Sequence, residues 1–353
     1  MSISDHRKAI DKLDAQIVRL LNERTRHVLA IGELKRKTGE QIYSPHREQA
    51  VLARVCRLNT GPMKNESLRA IYREIMSAAL ALEKPLTIAY FGPEATFTHQ
   101  AAIQKFGASV EYSAQKTIAD VFAEVSKGRA DYGVVPVENS TEGVVTHTLD
   151  MLVDSDLKIV SQIVMRIQHC LLSNCRRSQI KKLFSHPQAL AQCRLWVQNN
   201  LPHVEVIETS STTRAAELAA AEPNSAAIAS ALAAEKYKLR ILEADIQDNV
   251  ENATRFLVLG HQCSPPTGHD RTSLLFGITD RVGALHSALA CFRRYRINLT
   301  KIESRPSKRK AWEYYFFVDC DGHINDKRVA NAIRLLERQC NFVKILGSYP
   351  NTE

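Results

Sequence analysis

The sequence predicts a multidomain protein, in which an all-α segment, a two-lobed α/β segment and a βαββαβ segment follow one another. A helical heptad opens the chain, short apolar runs alternate with helical stretches in the middle, and six elements in βαββαβ order end it. At 353 residues the chain is too long for one small core. We therefore expect domains at residues 1–84, 85–262 and 271–353.

The composition is that of an ordinary globular chain, with 44% hydrophobic and 24% charged residues. No apolar run reaches the roughly 18 residues of a membrane helix. The charged start MSISDHRKAIDK predicts no secretory signal. Eight cysteines are dispersed without a CxxC pair, which favours reduced thiols and a cytoplasmic protein.

The sequence predicts neither a metal nor another cofactor. The histidines lack HExxH-type spacing, and there is no GxGxxG or Walker A loop. The net charge of +9 is concentrated in the first and last segments. That charge suits nucleic acid or a small polyanionic substrate, although a solvated surface is the simplest interpretation.

Residues 5–37 carry a helical heptad, and the first ~84 residues are predicted to be all-helical. Breaks at Gly39-Glu40 and Ser44-Pro45 precede further helices at about 47–58 and 65–83. The heptad has two seam positions, occupied by Ile10, Ile17, Arg24 and Ile31 and by Leu13, Leu20, His27 and Leu34. A seam of this length indicates a helix pair or a dimer.

Arg24 and His27 are polar residues in the middle of this seam. An unpaired guanidinium is costly to bury, so the site must supply an anion. Lys35 lies three turns further on, on almost the same face as Arg24. Periodicity alone leaves two other interpretations open: a polar residue that fixes helix register, or a salt bridge across the seam.

Residues 5–48 resemble the all-helical chorismate mutase family in HRKAIDKLDAQIVRLLNER, GELKRK and PHRE. The resemblance implies that Arg7 and Arg24 bind the two substrate carboxylates, one of them reaching across an intertwined dimer. It further implies that Arg47 assists binding and that Glu48 accepts the ring hydroxyl. Lys35 would donate to the ether oxygen of chorismate during a pericyclic rearrangement.

Three positions depart from the family pattern. Glu83 stands where many members have Gln beside the ether oxygen, so we predict that burial raises its pKa and keeps it protonated. Ser44 and Ala79 stand where the family often has Asp and Ser. These two differences affect the contacts predicted for the substrate hydroxyl and the alignment predicted for the third helix.

From Pro85 the pattern changes to short β-type runs such as PLTIAYFG, YGVVPVEN and TRFLVLG, separated by helical stretches. Alternation of this kind predicts an α/β domain with mainly parallel sheet and, at this length, two lobes with a cleft between them. Polar clusters follow several of the strands, at 92–102, 138–143, 185–193, 210–216 and 252–256. Ligands bind at such strand ends, although helix capping explains each cluster taken alone.

The clusters together resemble prephenate dehydratase, through GPEATF, VPVENSTEG, SHPQALAQC and the Thr-Arg-Phe of NATRFLVLG. The resemblance implies a periplasmic-binding-protein-like domain whose interlobe cleft holds prephenate. Its site residues would be Asn139, Ser185, Gln192 and Thr254, with Arg255 beside them to bind substrate. Thr254 is treated as a hydrogen-bond donor to the leaving hydroxyl. The motif usually has Gly where Ala95 stands, so a positive φ there would strain the backbone.

The last segment, from SLLFGI to NFVKILGSYP, has the βαββαβ order of a ferredoxin-like fold. With GALH and ESRP it resembles the regulatory ACT domain of phenylalanine-sensitive dehydratases, although those often have Val where His286 stands. The resemblance implies that phenylalanine binds between two such domains, at Gly283, Ala284, Leu285, Glu303, Ser304, Arg305 and Pro306. From the residues alone, GALH could simply start a helix and ESRP end a strand.

The sequence therefore predicts a bifunctional enzyme of phenylalanine biosynthesis, at least dimeric and inhibited by phenylalanine, with no nucleic-acid or membrane partner. One alternative is an amino-acid sensor in which one or both catalytic sites have decayed. A second is RNA binding through WEYYFF and RPSKRK, which the absence of an RNP1-like run disfavours.

Overall fold

The computed structural model describes residues 2–38, 43–307 and 314–351. The chain divides into two compact units, residues 1–87 with 105–111, and residues 88–104 with 112–353. Across the described ranges, no helix has both the length and the apolar character needed to cross a membrane.

The first unit is helical, with α1 (Ile3–Thr38), α2 (Pro45–Leu58) and α3 (Asn65–Glu83). Pro45 at the first turn of α2 suits a helix start, because its missing N–H would have no partner there. α1 and α2 both pack against α3. Most apolar seam residues of α1 are exposed, among them Leu13 and Ile17 at 55% and 53%. The predicted break at Gly39-Glu40 lies outside the described residues.

The first lobe belongs mostly to the second unit. Its elements in chain order are β1 (Thr87–Phe91), α4 (Phe97–Phe106), β2 (Glu111–Gln115), α5 (Ile118–Ser126), β3 (Tyr132–Asn139), β4 (Gly143–Val144), α6 (Thr146–Asp154) and β5 (Lys158–Arg166). The second lobe follows with β6 (Cys170–Ser173), β7 (Lys182–Ser185), α7 (Pro187–Gln192), α8 (Arg194–Asn200), β8 (Glu205–Glu208), α9 (Thr212–Ala221), β9 (Ser225–Ala229), α10 (Ala231–Tyr237) and β10 (Arg240–Glu243). The chain then returns to the first sheet as β11 (Ala253–Gly260).

Both sheets are mixed rather than mainly parallel. The first has the order β2-β1-β3-β11-β5 with β4 beside β3, and the second has the order β10-β6-β9-β7-β8. β1 and β3 are parallel, as are β9, β7 and β8, but β11 is antiparallel to both of its neighbours. The reason is topological, since β11 re-enters the first sheet from the other lobe.

Two crossover segments connect the lobes, residues 167–169 between β5 and β6 and residues 244–252 between β10 and β11. They are joined by backbone hydrogen bonds from Ile167 N–H to Asn252 O (2.8 Å) and from Ile246 N–H to His169 O (3.0 Å). The two lobes are therefore linked by a pair of hydrogen-bonded crossovers.

The C-terminal part has β12 (Asp270–Gly277), α11 (Ala284–Arg294), β13 (Leu299–Pro306), β14 (Tyr314–Asp321), α12 (Lys327–Glu337) and β15 (Phe342–Pro350). The sheet order β13-β14-β12-β15 is that of a ferredoxin-like fold. One face of this sheet shares a core with α11 and α12 through residues such as Phe276 and Leu336. The other face contributes Tyr315 and Phe317 to a core that contains Leu149 and Leu257 of the first lobe.

Candidate active sites

Asn139 and Thr254 form the centre of the polar cluster at the end of β3. They are directly paired across β3 and β11, and Asn139 Nδ2 donates to Thr254 Oγ1 at 2.8 Å. Asn139 Oδ1 accepts from the backbone N–H groups of Thr141 (2.9 Å) and Glu142 (3.0 Å). Those unambiguous donors fix the orientation of the Asn139 amide. Thr254 therefore accepts from Asn139 and keeps its own hydroxyl hydrogen for another partner.

Gln192, from the second lobe, reaches the same cluster through Asn252. Asn252 Oδ1 accepts from Asn139 Nδ2 at 2.8 Å, and Asn252 Nδ2 donates to Gln192 Oε1 at 2.8 Å. Gln192 Oε1 also accepts from His169 Nε2 at 2.9 Å. The structure thus brings together three of the predicted dehydratase residues, Asn139, Gln192 and Thr254.

Sequence reasoning did not single out Asn252 or His169. Asn252 is 1% exposed and His169 is 2% exposed, and each lies in a crossover segment. Burial lowers the pKa of His169, against the opposing effect of its hydrogen bond with Gln192, so the ring is held neutral. Asn252 was visible in the sequence as the first residue of NATRF, whereas His169 carried no pattern signal.

Ser185 ends β7 and is fully buried, and its Oγ donates to His186 O at 3.1 Å. No hydrogen bond joins Ser185 to the Asn139 cluster among the described contacts. Ser211 caps α9 by accepting from Arg214 N–H at 3.0 Å, so capping accounts for this part of the 210–216 cluster. Ala95 has φ 68°, the left-handed conformation in which a Cβ is strained.

Arg255 points into a buried network rather than lying free in the cleft. Its Nε donates to Gln162 (2.9 Å), and its Nη2 donates to the Tyr349 hydroxyl (2.8 Å). Its Nη1 donates to both Glu138 (2.9 Å) and Asp319 (2.6 Å). Burial would lower the pKa of Arg255, but Tyr349, Asp319 and Glu138 together raise it, so the cation is secured. The guanidinium thus bonds two strands of the C-terminal sheet to the first lobe.

Glu138 joins this network to β13. Its second carboxylate oxygen accepts from Lys301, which lies two residues before Glu303 on the same face of the strand. Arg305 continues that face and donates from Nη2 to Asp150 in α6 at 3.1 Å. Lys301, Glu303 and Arg305 are half-buried, whereas Ser304 and Pro306 on the opposite face are exposed.

In the first unit, Lys35 and Glu83 lie close together. The Glu83 carboxylate packs against Gly32 of α1, where an added Cβ would lie 3.1 Å from Oε2. Burial raises the pKa of Glu83, and the charges of Lys35 and Arg36 oppose this rise. Glu83 Oε2 and Arg24 Nη1 are both buried, with no hydrogen-bond partner among the described residues. Because Arg24 and Lys35 are eleven residues apart, their Cα atoms are about 16 Å apart on one face of α1.

Other predicted mutase residues are placed differently. Arg7 and Arg47 are exposed. On a straight helix, Arg7 lies about 42 Å from Lys35, so the two cannot bind one small molecule within one chain. Glu48 Oε2 accepts from the Tyr43 hydroxyl (2.8 Å) and pairs with Lys105 (2.9 Å). Of the departures from the family pattern, Ser44 precedes α2 and Ala79 is buried on α3.

The predicted regulatory residues stand at one end of the C-terminal sheet. Gly283 has φ 76° and precedes α11, whose first residues are Ala284 and Leu285. Tyr315 of β14 pairs with Gly277 at the end of β12 and with Arg305 in β13. The ESRP stretch therefore ends β13 at the sheet end from which β12 leads to the GALH stretch, and β14 lies between these two strands.

Within the described residues, no group of three His, Cys, Asp or Glu side chains is arranged to hold a metal ion.

Family models match each part of the chain: chorismate mutase type II at residues 6–84, prephenate dehydratase at 88–264 and the ACT domain at 272–337.

Several relatives match nearly the whole chain, and two of them serve as examples. A bifunctional chorismate mutase/prephenate dehydratase of Aquifex aeolicus is 50% identical, over 99% of this chain and 98% of that protein. One from Neisseria gonorrhoeae is 49% identical, over 98% and 96%. A crystal structure of prephenate dehydratase from Arthrobacter aurescens in complex with L-Phe matches with a TM-score of 0.71 and 35% identity, covering 75% of this chain and 90% of that one. With three family models in order and half of all residues shared with such relatives, this chain belongs to the bifunctional chorismate mutase/prephenate dehydratase family.

Proposed function

We propose that this chain rearranges chorismate to prephenate in its helical domain and converts prephenate to phenylpyruvate in its two-lobed domain. Its C-terminal domain would bind phenylalanine as a feedback inhibitor. The observation that carries the proposal is the Thr254–Asn139–Gln192 cluster at the base of the cleft, in a chain whose family models match both enzyme domains. The domains proposed are 1–84, 85–262 and 271–353.

In the helical domain, Arg24 and Lys35 are the cations proposed to hold the chorismate dianion. Arg24 Nη1, which meets no acceptor in the part of the chain that the structure describes, supports a carboxylate ligand, because a buried N–H without an acceptor costs free energy. In the rearrangement the ether C–O bond breaks as a new C–C bond forms, and negative charge develops on the oxygen. Lys35 on one side and a protonated Glu83 on the other would donate to that oxygen.

The mutase site is proposed to be completed by a second copy of this chain. The exposed apolar seam of α1 is long enough for a helix pair, and a partner helix would cover it. The separation of about 42 Å between Arg7 and Lys35 supports the same arrangement, since the partner's helix would carry its own arginine to this site. Arg47 and Glu48, at the start of α2, would then contact the bound ring.

In the two-lobed domain, prephenate is proposed to lie in the cleft against Thr254 and Gln192. The ring carboxylate leaves as carbon dioxide, the electrons of its C–C bond enter the ring, and the C–O bond electrons leave with hydroxide. Aromatisation drives the step, so the protein mainly orients the substrate and assists the leaving group. Thr254, whose oxygen already accepts from Asn139, would donate a hydrogen bond to that hydroxide as it leaves. Ser185 is still proposed as a residue of the dehydratase site because it belongs to the SHPQALAQC motif.

Phenylalanine is proposed to bind between the GALH and ESRP stretches of two C-terminal domains. Glu303 and Arg305 lie on the same face of β13 as Lys301, which bonds Glu138 next to Asn139. A shift of β13 on phenylalanine binding would pull on the strand end that holds the catalytic amide. Arg255, proposed from the sequence to bind substrate, is better suited to this coupling because its donors are taken up by Gln162, Glu138, Asp319 and Tyr349.

The RNA-binding alternative requires an open sheet face for base stacking. Tyr315 and Phe317 are instead buried at 4% each in the core shared with the first lobe. The sensor alternative would require decayed sites, whereas near-full-length relatives are named for both activities.

Mixing the purified chain with chorismate tests the proposal. Phenylpyruvate formation supports both activities, prephenate accumulation supports the mutase alone, and neither product would support the sensor. Added phenylalanine should lower the rate of the second step more than that of the first.

A further inference from the structure

Five side chains from the two lobes and the two crossovers form one hydrogen-bonded series. In order they are Thr254, Asn139, Asn252, Gln192 and His169. The three links that begin or end on Asn139 or Asn252 are each 2.8 Å, and the link from His169 is 2.9 Å. A side-chain amide can present either its oxygen or its NH₂ group to a given partner. The orientation of each amide therefore decides where it accepts and where it donates.

The direction of the series is set by the backbone. Thr141 N–H and Glu142 N–H both donate to Asn139 Oδ1, so the Asn139 NH₂ group must face Thr254 and Asn252. Asn252 accepts from that group through Oδ1, and its NH₂ group is therefore left to face Gln192. Each amide in turn dictates the orientation of the next.

Gln192 is the last amide in the series, and two donors converge on its Oε1, Asn252 Nδ2 and His169 Nε2. With Oε1 occupied, the Gln192 NH₂ group faces outwards, towards Glu142 Oε1 at 3.4 Å. The half-buried Gln192 thus offers donors to the cleft, as an anionic substrate requires.

Asn252 is in a strong position to control this orientation. It is 1% exposed, and its backbone oxygen accepts from Ile167 N–H of the other crossover at 2.8 Å. A residue fixed in this way cannot turn its amide without breaking two short hydrogen bonds. Its orientation is therefore a property of the folded crossovers and does not depend on bound substrate.

We propose that Asn252 is a positioning residue of the dehydratase reaction, and that His169 assists it. Together they hold the Gln192 amide with its nitrogen towards the substrate, and Asn252 does so by accepting from the Asn139 amide, whose orientation the backbone sets. Neither residue needs to touch the reacting atoms. The inference rests on the proposed dehydratase function and assigns new roles within that site.

Asn252→Asp tests the inference because the side chains have nearly the same shape. The carboxylate still accepts from Asn139 but cannot donate to Gln192, so the Gln192 amide is expected to turn over. At neutral pH, kcat for prephenate should fall on the order of 10- to 100-fold, with a smaller change in KM. Lowering the pH should recover part of the rate as the new carboxyl group gains a proton. The nearby ionisable groups are Glu142 and His169, which contact Gln192, and Asp248, Glu251 and Arg166 at the crossovers, and all of them are present in the wild type.

Asn249→Asp is the matched control. Asn249 is exposed in the same crossover, and its Oδ1 accepts from Glu251 N–H, which a carboxylate can also do. We expect wild-type kcat and pH dependence from it. Chorismate mutase activity, measured in every variant, reports the integrity of the first unit.

His169→Gln and His169→Leu supply a second comparison that does not depend on Asn252→Asp folding. Glutamine can place a nitrogen near the position of Nε2 and donate to Gln192, whereas leucine cannot. We expect His169→Gln to retain several-fold more activity than His169→Leu. Equal activity of these two variants, or a wild-type pH profile in Asn252→Asp, would overturn the inference. A wild-type chain that makes no phenylpyruvate would instead overturn the proposed function.

Discussion

The Asn139 side-chain amide donates to Thr254 Oγ1 at 2.8 Å, and this direction is imposed by the two backbone N–H groups that hold Asn139 Oδ1. A hydroxyl that accepts from a fixed donor turns its own hydrogen away from that donor. In the proposed dehydratase site, Thr254 would give that hydrogen to a hydrogen bond with the leaving hydroxide, although its hydroxyl is a weak acid. A geometry set before substrate binds costs nothing to arrange during the reaction.

Replacing Thr254 by valine removes the hydroxyl while nearly keeping the side-chain shape. We expect kcat for prephenate to fall on the order of 100-fold with little change in KM, because the contact strengthens as hydroxide departs. Thr254→Ser keeps the donor and should retain most of the rate. Steady-state kinetics of both variants check this. If Thr254→Val changed only KM, Thr254 would be a binding residue and not a donor to the leaving group.

Sequence patterns were informative where a residue belonged to a contiguous motif. Asn139, Gln192 and Thr254 are in three such motifs, and the fold brings them together. The φ of 68° at Ala95 also agrees with the glycine expected there. His169 escaped notice because a buried histidine on a crossover follows no helical or strand period. The pair of Lys301 with Glu138 could not have been foreseen, since 163 residues separate them and they lie in different predicted domains.

Mutase turnover should depend on the protonation of Glu83. Burial raises the pKa of this carboxyl, and in the proposed mutase site the protonated form would donate to the ether oxygen. The rate should therefore be highest below the raised pKa and should fall as the pH rises through it. Glu83→Gln, an uncharged donor at every pH, should flatten that fall. Initial rates of chorismate consumption across pH provide the measurement.

Glu33→Gln serves as the control for Glu83, because Glu33 is an exposed carboxylate in the same unit. It should reproduce the wild-type pH profile. If the mutase rate of Glu83→Gln still fell with rising pH as in the wild type, a group other than Glu83 would be responsible for the fall.

Phenylalanine inhibition should depend on Lys301 more than uninhibited turnover does. Lys301→Met removes the cation that joins β13 to Glu138, so effector binding is no longer transmitted to the strand end. We expect the half-inhibitory phenylalanine concentration of the dehydratase to rise by about tenfold, within the usual range of coupling between sites. Lys327→Met, at an exposed position on α12, is the control. If phenylalanine inhibited Lys301→Met as strongly as the wild type, coupling through Lys301 and Glu138 would be excluded.

The proposed coupling through the Lys301–Glu138 pair can also be checked by combining Lys301→Met with Glu138→Gln. If the two side chains act as one link, the double variant should lose no more inhibition than the stronger single variant. Additive losses would mean that the two residues act independently.

The mutase sites should be restored by mixing two inactive variants. Arg7→Ala and Lys35→Ala each remove one cation, and we expect each alone to lose most mutase activity while keeping the dehydratase. If every site takes Arg7 from one chain and Lys35 from the other, a mixed dimer has one intact site and one doubly altered site. Random pairing of co-expressed chains would then return about a quarter of the wild-type mutase rate. Sites built within single chains would return none, because every site would keep one of the two substitutions.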